Sequence, residues 1–127
     1  MRQEIFQPTE EHEQKIVIQW RDLMVSRYPC LKLLIHIPNG GLRSKSEAVR
    51  FKRLGVHPGV SDLFLPVARK GYYGLWIEMK RQKGGKLSKD QKEWLDEMFC
   101  QGYLAVRGDG AEEAIGILSS YLGVKSD

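Results

Sequence analysis

Cysteine is scarce in this sequence: Cys30 and Cys100 stand far apart, and neither lies in a Cys-x-x-Cys or Cys/His spacing. That excludes a structural zinc cluster and a disulfide framework, and two buried, reduced thiols are expected instead. No apolar run approaches the length of a bilayer span, so no membrane partner is expected. The opening residues, Met1 to Pro8, lack the apolar core of a signal peptide, which makes a cytoplasmic protein the expectation. Internal repeats, low-complexity tracts and interdomain linkers are missing as well. Residues 1–127 therefore read as one domain, long enough for a real core and too short for two ordinary ones.

What is present is the composition of a packed protein, with 42% hydrophobic and 28% charged residues. The formal charge of +4 is unevenly spread. Residues 43–53 and 80–92 are both strongly basic, which suits a phosphate backbone; alone, either cluster is more simply a solvated helix face or loop.

Thr9 reads as the N-cap of a helix with acids in its first turn, whose stripe is Ile16, Val17, Trp20, Leu23 and Met24. Residues 33–37 read as a strand stopped by Pro38-Asn39-Gly40-Gly41, and a short basic helix is expected from about Ser44 to Leu54. Residues 62–67 and 72–80 are strands joined by a link short enough for a hairpin. A second long helix follows Leu87-Ser88, with Gln91, Trp94, Leu95 and Met98 as its stripe. Residues 103–107 form a fourth strand, and Ala111 to Leu122 a last amphipathic helix whose Ile115, Leu118 and Leu122 serve a core or a partner. The expected class is α/β: a central mixed sheet of about four strands flanked by helices, with an antiparallel hairpin and a parallel last pair.

Side chains alternate along a strand, so Glu78 and Lys80 share one face. Antiparallel pairing brings Asp62 alongside them at one corner of the sheet. Two carboxylates and an ammonium are what metal-assisted phosphodiester hydrolysis requires. Asp62 and Glu78 offer hard oxygen ligands for Mg²⁺ (or Mn²⁺), with the backbone carbonyl of Met79, water and a phosphate oxygen filling the shell. Lys80 orients or deprotonates the attacking water and stabilises the developing charge. Taken alone, Glu-x-Lys is more often an ordinary ion pair and Asp62 a turn residue. The set of turn, hairpin, basic loop and Gln91-bearing helix shifts that balance.

Asp62 followed by Glu78-Met79-Lys80 matches the PD-(D/E)xK nuclease signature. Together, "PGVSDLFLP", "GLWIEMK" and "KLSKDQ" resemble the VRR-NUC branch, the virus-type replication-repair nucleases, over about Thr9 to Leu122. The resemblance implies a restriction-endonuclease-like core, divalent metal, and action on branched or flapped DNA, such as Holliday junctions, by a stand-alone phage or prophage domain. Carried onto this sequence, it makes Asp62 and Glu78 metal ligands, Lys80 the catalytic lysine, and Gln91 the glutamine of the following helix. Where the family usually has proline before the aspartate, Ser61 stands here. The family's further acid comes from the first helix; Glu13 continues the apolar stripe and is the first choice, Glu10 the second, while Glu11 caps or solvates the helix start. A nuclease gives weight to Arg43, Lys45, Arg50, Lys52 and Arg53, and to Arg81, Lys83, Lys86 and Lys89, as phosphate contacts. A homodimer is expected, because symmetric junction cleavage needs two sites. No small-molecule cofactor is expected.

His57 in its His-Pro turn reads as a loop residue, and His36 as a core or edge histidine. Trp20 and Trp94 read as core residues, and Asn39-Gly40-Gly41 as a turn that could equally admit a DNA backbone. The competing expectation is a DNA-binding or assembly module that keeps the scaffold without turnover.

Overall fold

The computed structural model describes residues 6–38 and 44–125. Arg43 and the Asn39-Gly40-Gly41 turn lie outside them. The order is α1 (Glu10–Met24), a 3-10 helix (Pro29–Leu33), β1 (Ile35–His36), α2 (Lys45–Arg53), β2 (Leu63–Leu65), β3 (Leu75–Lys80), α3 (Lys89–Cys100), β4 (Leu104–Asp109) and α4 (Ala111–Leu122). The strands form a four-stranded mixed sheet in the order β1-β2-β3-β4. The first two pairings are antiparallel and β3–β4 is parallel. Fold class and strand directions are as the sequence implied.

The β2–β3 connection turns through Lys70 and Gly71, with φ of 53° and 84°. Positive φ at both central residues gives a twist that matches that of the flanking strands, as in a type I′ hairpin. Arg69 and Tyr72 close the loop with reciprocal backbone bonds of 3.2 and 2.8 Å. Between this turn and the strands the pairing slips by one residue, and the strand register sets Leu63 opposite Ile77, so Asp62 falls beside the end of β3.

The faces of β3 are divided between two layers. Ile77 and Met79 belong to the core with Val17 of α1 and Ala114 and Leu118 of α4. Trp76, on the other face, stacks on Phe64 and meets Trp94 of α3 edge-on. Every residue of β3 is buried, which explains why its sequence reads as a nearly unbroken apolar run until Glu78.

Three local expectations change. Residues 33–37 give a strand of only Ile35–His36, because Pro29 at the first turn of the 3-10 helix favours that helix through Leu33. Leu23, assigned to the α1 stripe, is 80% exposed. Cys100 is exposed and Cys30 half-buried, so neither thiol is sealed in the core. Leu118 is core, and Ile115 and Leu122 pack against it. Among the described residues no helix is long and apolar enough to cross a membrane.

Candidate active site

The carboxyl end of β3 carries the site. Glu78 and Lys80 are charged residues with only 3% and 5% exposure. Asp62 reaches across from the loop before β2, and its Oδ2 accepts the Met79 N–H at 2.8 Å. In an extended strand the N–H and C=O of one residue point to the same side, so the Met79 carbonyl also faces Asp62.

Glu78 pairs with Asp62. Its pKa is raised to about 9, first by burial, then by the hydrogen bond and the charge of Asp62, with Lys80 pulling the other way. Its Oε1 is buried without a hydrogen-bond partner among the described residues. Two carboxyl groups pressed together with an unused oxygen are costly on their own and suit a hard cation. No cluster of three His, Cys, Asp or Glu side chains that could hold a metal occurs among the described residues.

Lys80 Nζ donates to Gln91 Oε1 at 3.0 Å and lies 3.9 Å from Glu10 Oε1. Gln91 is fixed in turn by the capping box of α3: Ser88 Oγ accepts the Gln91 N–H and Gln91 Oε1 accepts the Ser88 N–H. The Gly59 turn packs directly on that helix start, where a Cβ would come 2.4 Å from the backbone of Asp90. The loop carrying Asp62 and the helix carrying Gln91 are thus held against each other.

Glu13, the first choice among the helix acids, is elsewhere. It is 2% exposed, its Oε2 accepts the Ala111 N–H at 2.8 Å and its Oε1 accepts from Gln82 at 3.0 Å. It caps α4 in place of a side chain at Gly110, consistent with the attraction of an anion to a helix N-terminus. Glu10, the second choice, is the helix acid that faces Lys80 and Glu78. Glu10 and Glu11 both line a groove beside the site.

That groove, about 1280 Å³, runs between the outer face of α1 and the loop after β3. Asp62 and Met79 lie along it, Arg81 and Lys86 flank it, and His36 stands at the β1 end. Lys83 is exposed on the same loop, whose backbone N–H donates to Gln7. Lys89 is exposed outside the lining of this groove, 3.9 Å from Glu93. Lys45, Arg50, Lys52 and Arg53 are all exposed on α2, outside the lining of this groove. His57 lies against Trp94, and Trp20 packs on the core.

Sequence reasoning missed the groove position of His36, whose Nδ1 is 2.7 Å from the Asp62 carbonyl. It also missed Gly85, where a Cβ would come within 2.9 Å of the Lys80 Cβ. The Gly84-Gly85 pair inside a basic loop was the available signal for the second; for His36 there was none.

A mixed α/β sheet with two carboxylates and a lysine at the end of one hairpin is the arrangement of the PD-(D/E)xK nucleases. The VRR-NUC domain family matches residues 4–108, and the chain belongs to that family. A solved structure of a VRR_NUC domain protein superposes with a TM-score of 0.79 at 28% identity, covering 95% of this chain and 93% of that one. No curated protein matches in sequence.

Proposed function

We propose that residues 1–127 form one nuclease domain that cuts DNA as a Mg²⁺- or Mn²⁺-dependent endonuclease selective for branched structures such as Holliday junctions and flaps. The observation that carries this reading is the buried Glu78, with its unused oxygen, set between the half-buried Asp62 and Lys80. Nuclease domains of this family generally use divalent metals.

Asp62, Glu78 and the Met79 carbonyl would hold the ion, with Glu10 rather than Glu13 as the helix acid nearest to them. When bound, such an ion polarises the scissile phosphate and lowers the pKa of an attacking water. Lys80, anchored by Gln91, orients that water and stabilises negative charge gathering on the phosphate. Arg81, Lys83 and Lys86 beside the groove, and Lys45, Arg50, Lys52 and Arg53 on α2, with Arg43 and Lys89 further along the same basic segments, neutralise the duplex arms. Contacts of that kind fix position without reading sequence, which favours recognition by shape. A homodimer would set two such sites on opposite strands of a junction.

The test is cleavage of a synthetic four-way junction, a flap and a linear duplex in Mg²⁺ and in EDTA, with sedimentation under the same conditions. Metal-dependent nicks in the branched substrates and a two-chain species are expected. Binding without cleavage in any metal would leave a DNA-binding module.

A further inference from the structure

Helix α2 differs from the other helices in having no buried residue at all. One of its faces is a shallow groove of about 590 Å³ lined by Lys45, Ser46, Val49, Arg50, Arg53 and Leu54. Its floor is apolar: Val49 is 51% exposed and Leu54 68%. Its rim is cationic, and Glu47 is the one acid on the helix. Apolar side chains left in water at the centre of a charged surface mark an interaction site.

The charge selects the occupant. A second copy of this face would bring two cationic rims together, whereas a polyanion meets them with opposite charge. Phosphate contacts alone explain the arginines and leave Val49 and Leu54 without a role. Base faces are apolar, and a branch point exposes them where an intact duplex does not.

We propose that this face of α2 is a branch-point wedge: Leu54 enters the unstacked step where duplex arms part, Val49 supports it, and Arg50 and Arg53 grip the flanking phosphates. Apolar wedges of this kind part base steps in many DNA-bending proteins. The inference rests on the DNA-cleaving reading above and names how that site recognises its substrate. It places branch selectivity on α2 and leaves hydrolysis to the end of β3.

The test uses 2-aminopurine placed either at the branch point of a four-way junction or inside a linear duplex, titrated in EDTA with the wild-type protein, Leu54→Ala, and the Arg50→Ala/Arg53→Ala pair. Wild type should raise fluorescence at the branch and not in the linear duplex. Leu54→Ala should remove that rise and narrow the preference for branched over linear DNA by about tenfold, the scale of withdrawing one leucine from apolar contact. The arginine pair should weaken binding to both substrates and lower the slope of log K against log salt by about one unit per lost contact. A rise that survives Leu54→Ala overturns the wedge, as does conversion of a dimer to a monomer by that substitution, which would assign the face to a second copy. If Leu54→Ala keeps full branch preference in Mg²⁺-dependent cleavage, only the wedge falls. If wild type neither binds nor cuts branched DNA, the nuclease reading falls with it.

Discussion

The amide oxygen of Gln91 lies 3.0 Å from the Lys80 ammonium and 2.9 Å from the N–H of Ser88. One atom therefore aims the lysine and closes the start of its own helix. Gln91→Ala should cost about 1 kcal/mol of stability through the lost cap. It should also lower kcat more than DNA affinity, because Lys80 loses its anchor. Gln91→Glu keeps an acceptor at both bonds and should recover most of the turnover. Single-turnover cleavage beside equilibrium binding separates the two effects.

Gly85→Ala should leave the fold intact and impair cleavage. Its Cβ would press on the Lys80 Cβ at 2.9 Å, closer than such atoms sit, so the lysine or the loop must shift. Displacing a catalytic group by about 1 Å can cost on the order of 10²-fold in rate. Normal cleavage by a well-folded Gly85→Ala variant would show that the Lys80 position is unimportant.

Glu13 and Glu10 should separate stability from activity. Glu13→Ala strands the buried Ala111 N–H and the Gln82 amide, a loss of about 1–3 kcal/mol visible in urea denaturation. Glu10→Gln removes a half-exposed charge beside Lys80 and should scarcely change stability while lowering apparent metal affinity. The reverse pattern would return Glu13 to the metal.

Without metal, the folded protein should lose stability as pH rises. Glu78 has its pKa raised from 4.5 to about 9, so the folded state keeps a proton that the unfolded chain releases above 4.5. Folding then binds protons through that window, and stability falls from its lower limit to its upper one. Glu78→Gln removes the group, so its urea midpoint in EDTA should be less pH-dependent and higher than wild type at alkaline pH.

The hairpin and its corner were legible in the sequence because both are short-range: alternation assigns Glu78 and Lys80 to one face, and the short link between β2 and β3 brings Asp62 alongside them. Helix α3 announced itself through Leu87-Ser88; that Ser88 closes a capping box with Gln91, read in the sequence only as part of the helix stripe, emerges from the structure. The partners of Glu13 were hidden for the opposite reason. Helical spacing shows that it faces inward, but its partner is an N–H at Ala111, 98 positions away, and no local pattern reveals that contact. The strand expected at 33–37 shortens to Ile35–His36 because the helix-starting effect of Pro29 outweighs the β-favouring side chains after it.

The most direct test of the account is Mn²⁺ titration calorimetry on wild type, Asp62→Asn and Glu78→Gln, run beside junction cleavage with the same samples. Both substitutions keep side-chain shape and remove an anionic ligand, so heat of binding and cleavage should disappear together in folded protein, as loss of metal chemistry requires. Cleavage at the wild-type rate by either variant, or metal binding undiminished in both, would contradict the assignment of this corner as the metal centre.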